Sequence, residues 1–157
     1  MYEVIYFSRS GNTRKVAIAI ADELDVKAQD IRSTKSLPEG AEVFLGSGLY
    51  FLRPSKMIRD FIQNNDFQGR KTAIFNTSTS GIGIFGMERL LKRKGAIITG
   101  KYHCAGKFFF IRKGRPANKD LEKAKKFARS IRNRLNDIKI VAENQGEKHE
   151  DRILSRV

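Results

Sequence analysis

Residues 2–24, YEVIYFSRSGNTRKVAIAIADEL, carry the reading that decides the fold. Tyr2–Phe7 is a compact β-branched and aromatic run of strand type. Beyond it Val16, Ile20 and Leu24 recur at helical spacing, with Ala17 and Ala21 beside them. The chain therefore passes from a strand into an amphipathic helix through Ser8-Arg9-Ser10-Gly11-Asn12-Thr13. Backbone N–H groups at a helix start carry partial positive charge, and small hydroxyl residues let an anion approach closely. Two readings fit this composition, an N-capping turn and a phosphate-binding loop. A Walker A loop is excluded, because G-x-x-x-x-G-K-[ST] is absent.

Working outward, strand and helix signals keep alternating. Residues Val26–Ile31 read as a weaker second strand, Pro38 and Gly40 as a turn, and Glu42–Gly46 as a third strand. Ser55 is placed to cap a helix bearing Met57, Ile58, Phe61 and Ile62. Thr72–Phe75 reads as the fourth strand, followed by a Ser/Thr/Gly loop and a short helix, Met87–Lys94, stopped at Gly95. Ala96–Thr99 starts the fifth strand, with Lys107–Ile111 as its resumption. The last helix is expected over Lys119–Leu135, with Leu121, Ala124, Ala128, Ile131 and Leu135 facing the core. Asn118 is its expected cap, and Asp120 and Glu122 suit its positive end. Periodicity fades after Asn136, so the expected organisation is one domain over 1–135 and an extension over 136–157. Such alternation implies an α/β domain whose parallel sheet is covered on both faces, a three-layer sandwich. Five strands without an early dinucleotide fingerprint suit the order 2-1-3-4-5. In that arrangement a ligand sits outside the carboxyl ends of the strands, at the loops after strands one, three and four.

Those three loops carry a family resemblance. SRSGNTRKVA at 8–17 looks like the phosphate-binding loop of flavodoxins, [ST]-x-[ST]-G-N-T. GSGLYF at 46–51 and STSG at 78–81 look like the loops flanking the flavin ring, and KGRPANKDLEKAKKFA at 113–128 resembles the family's last loop and helix. The resemblance implies a flavodoxin-like fold binding FMN. Ser8, Arg9, Ser10, Gly11, Asn12 and Thr13 would surround the phosphate, and Ser47, Gly48, Leu49, Tyr50 and Phe51 would run along the isoalloxazine. Thr77, Ser78, Thr79, Ser80 and Gly81 would complete the site, with N–H groups of 78–81 at the pyrimidine end. Gly48 is the natural place for a peptide to reorient beneath the ring, since glycine accepts positive φ. Gly81-Ile-Gly83-Ile-Phe-Gly86 matches G-x-G-x-x-G, but His103, Cys104 and Ala105 stand where a dinucleotide site needs an acid. Its glycines are expected to let a loop approach the flavin.

Charge separates this chain from the family's usual acidic members. Lys and Arg number 31 against 17 Asp and Glu, a net charge of +14. Residues 1–50 are near neutral, with 6 basic and 7 acidic side chains, whereas 101–157 hold 16 and 7. Such a field attracts an acidic redox partner, a ferredoxin or reductase, or an anionic membrane surface. No nucleic-acid fold signature accompanies it, so specific nucleic-acid recognition is not expected. The basic run RSIRNRL at 129–135 is expected to be a solvated face. One cysteine, Cys104, and two histidines, His103 and His149, speak against a disulfide and against a zinc centre. As neighbours on a strand, His103 and Cys104 should face opposite sides. No apolar run reaches the roughly 20 residues of a membrane span, and no leader pattern precedes the first strand, so a cytoplasmic protein is expected. Three functions are compatible with this reading. They are an electron-transfer module, an FMN-dependent oxidoreductase acting on a quinone or porphyrinogen with 102–115 walling its pocket, and a flavin-free module that binds through its basic face.

Overall fold

The protein, a computed structural model, is described over residues 1–34, 36–50, 53–78, 83–105 and 116–154. Its elements follow in the order β1 (Tyr2–Phe7), α1 (Asn12–Leu24), β2 (Ala28–Asp30), β3 (Glu42–Tyr50) and β4 (Arg53–Pro54). Then come α2 (Lys56–Asn64), β5 (Lys71–Thr77), α3 (Gly83–Arg93), β6 (Ile97–Cys104) and α4 (Asn118–Leu154). Five strands form a parallel sheet in the order β2-β1-β3-β5-β6. Counted along the chain these are the main strands in the order 2-1-3-4-5, as the alternation of elements implied. The two-residue β4 pairs antiparallel with the end of β3, Leu49 opposite Pro54 and Tyr50 opposite Arg53.

The alternation of side chains along each strand divides the core in two. Val4, Tyr6, Phe44, Ala73 and Phe75 face one side, where α1 and α4 cover them with Val16, Ile20, Ala124, Ala128 and Ile131. Ile5, Phe7, Val43, Leu45 and Ile74 face the other, under Ile58, Phe61 and Ile62 of α2 and Met87 and Leu91 of α3. Of the apolar residues that α2 bears, Met57 is exposed. His103 is exposed and Cys104 buried, on opposite faces of β6 as their adjacency required. Ser55 caps α2 by accepting a 3.3 Å bond from the Ile58 N–H. Gly95, at φ 80°, ends α3 in the left-handed conformation expected of a C-cap.

Element boundaries moved where tertiary partners extended them. β3 runs to Tyr50 rather than Gly46, because β5 reaches Thr77 and supplies partners for Ser47 and Gly48. Leu49 and Tyr50 then find partners in β4. β6 continues to Cys104 alongside β5, while the expected resumption at 107–111 lies outside the described residues. α3 begins at Gly83 rather than Met87. A Cβ on Gly86 would come within 2.9 Å of Pro54 Cδ, so this glycine admits a close approach of α3 to β4. That packing gives Gly86 a structural reason of its own; Gly81 lies outside the described residues.

α4 is one helix to Leu154, not one that stops at Leu135. At about 1.5 Å per residue it spans roughly 55 Å. Past Leu135 the described apolar side chains no longer face the core. Ile138, Ile140 and Val141 are each more than half exposed. A helix already nucleated on the body extends readily through Ala, Glu, Gln and Lys without an amphipathic face. Its cap also differs from expectation: Ala117, not Asn118, holds the cap position. Asp120 Oδ2 accepts the Ala117 N–H at 2.9 Å, and the Asp120 N–H donates to the Ala117 carbonyl at 2.8 Å. The basic face of α4 is partly consumed within the molecule. Arg129 grips the Glu23 carboxylate at 2.9 and 2.8 Å, and Arg132 donates to the Glu23 carbonyl at 2.6 Å.

Candidate functional site

The carboxyl ends of β1, β3 and β5 meet side by side, with Phe7 opposite Ser47, Ser47 opposite Asn76, and Gly48 opposite Thr77. The described residues picked out after the first, third and fourth main strands therefore gather at one end of the sheet. Ser8–Gly11 form the turn that leads from β1 into α1, while Asn12 and Thr13 open the helix and are buried.

The geometry of this turn bears on the two readings of SRSGNT. Gly11 sits at the cap position with φ 81°, in the left-handed region, and no side chain caps the helix. Its carbonyl accepts the Lys15 N–H at 3.1 Å. The Ser8 hydroxyl is buried and has no hydrogen-bond partner. A capping turn would have spent a hydroxyl or amide oxygen on the helix N–H groups. Here the first turn of α1 keeps its positive end uncapped by side chains, beside an orphaned hydroxyl. Arg9, Arg14 and Lys15 are exposed around it. These residues could hold an anionic group, and they fit the phosphate of FMN.

Behind the loop, buried hydrogen bonds fasten the three segments to each other. Thr13 Oγ1 lies 2.7 Å from Thr77 Oγ1, joining α1 to the end of β5. Asn76 Nδ2 donates to the Ser47 carbonyl at 3.0 Å, and Asn76 Oδ1 accepts the Ser78 hydroxyl at 2.7 Å. Ser47 Oγ donates to the Gly48 carbonyl at 2.7 Å. Asn76 is the residue that the sequence reading missed. Its signal was there in KTAIFNT, an amide closing an otherwise apolar strand, where a buried polar group must find partners.

Two expectations change at this end. Ser47, Gly48, Leu49 and Tyr50 belong to strand β3 rather than to a loop. Gly48 is absent from the glycines with positive φ, and its carbonyl is held by Ser47. The Ser78 N–H, expected to meet the ring, donates instead to the Cys104 carbonyl at 3.2 Å, continuing the β5–β6 ladder by one step. Phe51, Thr79, Ser80 and Gly81 lie outside the described residues, as do the side chains of Leu49 and Tyr50 and most of 102–115. Among the described residues no group of histidine, cysteine and carboxylate side chains could hold a metal ion. No described helix is long and apolar enough to cross a membrane.

Known proteins resemble this chain in sequence or in fold. An uncharacterized protein of Methanocaldococcus jannaschii is 32% identical over 134 residues, covering 76% of this chain and 89% of that one. A flavodoxin from the domain Archaea superposes with a TM-score of 0.68 at 20% identity, over 86% of this chain and 98% of that chain. Oxidised flavodoxin 2 from Bacillus cereus gives 0.63 at 22% identity, over 85% and 98%. Rubredoxin oxygen:oxidoreductase from Desulfovibrio gigas gives 0.67 at 16% identity over 87% of this chain, which corresponds to only 36% of that larger protein. At these identities the structural matches speak for the fold. The family model described as "Flavodoxin domain" matches residues 3–83, from β1 to the start of α3 and so through all three segments of the site. The chain belongs to the flavodoxin domain family.

Proposed function

We propose that this protein binds FMN non-covalently at the carboxyl ends of β1, β3 and β5 and passes electrons between redox partners. The observation that carries this reading is the uncapped first turn of α1, with Gly11 at φ 81° and the buried Ser8 hydroxyl unpartnered beside it. When bound, FMN would supply reversible one- and two-electron chemistry; the protein's part is binding, orientation and electrostatics. Ser8, Ser10, Asn12 and Thr13 with the N–H groups of α1 would hold the phosphate. The ends of β3 and β5, held in register by Asn76, would border the ring. Arg9, Arg14 and Lys15 add positive charge that favours a negatively charged reduced cofactor. Its potentials should therefore exceed those of acidic flavodoxins.

The test is an absorbance titration of the purified protein with FMN, followed by stepwise anaerobic reduction against redox dyes. Stoichiometric binding and reduction in two resolved stages are expected. Failure to bind excess FMN overturns the reading. Reduction in a single stage, with turnover of NAD(P)H and a quinone, would move the assignment to an oxidoreductase. A strongly negative final potential would contradict the electrostatic argument alone.

A further inference from the structure

Helix α3 carries a stripe that the fold does not use. Its inner side, Ile84, Met87 and Leu91, is buried in the core. On its outer side Phe85, Arg89 and Arg93 follow at intervals of four, with Glu88 and Lys92 alongside. These five residues line a shallow hollow of about 500 Å³. Phe85 is 63% exposed, the most exposed aromatic side chain among the described residues.

The charges around the hollow are of two kinds. Lys92 and Lys101 are tied to Glu88, each ammonium 2.9 Å from its carboxylate. Those bonds, Lys101's first, hold the Glu88 carboxyl below its usual range. Lys101 also lies 5.3 Å from the centre of the Phe85 ring and steadies it. Arg89 and Arg93 have no acidic partner among the described residues. What remains available is a pair of guanidinium groups beside an exposed aromatic ring. Aromatic rings and arginines are the residues enriched where proteins bind proteins, and arginine's fork grips carboxylates bidentately. α3 also begins next to the candidate site, and Gly86 seats its first turn on Pro54 of β4.

We propose that the outer face of α3 is the docking surface for an acidic electron-carrier protein, whose carboxylates meet Arg89 and Arg93 around Phe85. The proposal names the partner's chemistry for the FMN site and rests on that reading for its purpose, although the surface itself needs no flavin. A protein partner is favoured over nucleic acid because the Glu88 carboxylate stands within the hollow, where a phosphate backbone would be repelled. A membrane is disfavoured because one aromatic ring, not a continuous apolar face, projects from the helix.

The test measures binding of the FMN-treated full chain to a purified acidic iron–sulfur ferredoxin at low and at physiological salt. Three variants are compared: Arg89→Glu/Arg93→Glu, Phe85→Ala, and Lys123→Glu/Lys126→Glu on exposed lysines of α4. The two double variants change net charge equally, so they separate a local surface from the overall field. All the altered side chains are exposed, and circular dichroism verifies folding. Reversal at Arg89 and Arg93 should weaken binding about tenfold or more at low salt, with a much shallower salt dependence. Phe85→Ala should weaken it at both salts, and reversal on α4 should have less than about a threefold effect. Equal weakening by both double variants, or no binding of the ferredoxin at all, overturns the proposal. So does dependence on Arg89 and Arg93 only for phosphatidylglycerol vesicles or a single-stranded RNA. Flavin absorbance read on each sample keeps the two claims apart. A chain without FMN that still binds ferredoxin through Arg89 and Arg93 retains the surface and loses the function. A chain loaded with FMN that ignores ferredoxin does the reverse.

Discussion

The hydroxyls of Thr13 and Thr77, 64 residues apart in the chain, lie 2.7 Å from each other in the protein interior. One belongs to the first turn of α1 and the other ends β5, so a single buried hydrogen bond fixes the spacing between two sides of the site. Replacing Thr77 with Val leaves the Thr13 hydroxyl without that partner, at a cost of about 1–2 kcal/mol. Replacing both threonines should cost less than the sum of the single changes. A double-mutant cycle from urea unfolding measures the difference, and strict additivity would show that the pair is not coupled.

Asn76 donates to the Ser47 carbonyl and accepts from the Ser78 hydroxyl, which sets the ends of β3 and β5 against each other. Asn76→Leu, close in volume, removes both bonds from the interior and should lower stability by about 1–2 kcal/mol. If the flavin ring is bordered by these ends, FMN affinity should fall with it. Comparing unfolding midpoints with FMN titrations checks both effects, and unchanged stability would contradict the role given to Asn76.

A Cβ added at Gly11 would meet nothing within 4 Å, so the cost of Gly11→Ala comes from its φ of 81° alone. About 1 kcal/mol is expected, with Gly11→Asn less harmful because asparagine tolerates this region. A phosphate held at this turn adds a second signature. Gly11→Ala should weaken FMN binding and leave riboflavin, which has no phosphate, largely unaffected. Parallel titrations with the two flavins measure this, and equal losses for both would place the phosphate elsewhere.

Glu23 is held below the usual carboxylate range chiefly by its bond to Arg129, with Arg132 adding to it. A lowered native value means that the α1–α4 clamp contributes fully above the ordinary carboxylate pKa and is lost as pH falls through the native one. The wild-type chain should therefore lose more stability than Glu23→Gln on acidification below about pH 4. Near neutral pH the variant should melt roughly 2–4 °C lower, the size expected for losing a charge-assisted bond in a chain of this length. Melting curves across this range decide it, and parallel curves would sink the idea.

Much of this was legible in the sequence because it depends on local periodicity. Tyr2–Phe7 and the Val16–Ile20–Leu24 stripe state strand and helix without reference to the rest of the chain, and repetition of that alternation dictates a covered parallel sheet. Glycine at 11 and serine at 55 announced turns whose backbone demands are equally local. Element ends were less legible. Whether Gly46 or Tyr50 closes β3 depends on how far β5 reaches, and the length of α4 depends on what its start is anchored to.

The order of elements and the two-faced core are written in the amino-acid order, since each follows from side-chain spacing and backbone chemistry within a few residues. Which polar groups are already spent emerges only once the chain is folded. The Ser78 N–H goes to Cys104, Arg129 and Arg132 go to Glu23, and Lys92 and Lys101 go to Glu88. Among the described residues the Ser8 hydroxyl and Glu42 Oε2 stay buried without a hydrogen-bond partner, and Glu88 is spent on Lys92 and Lys101 rather than on Arg89 or Arg93. Hydrogen bonds and ion pairs reach only a few ångströms, and it is the folding of distant segments onto one another that brings the partners within that reach.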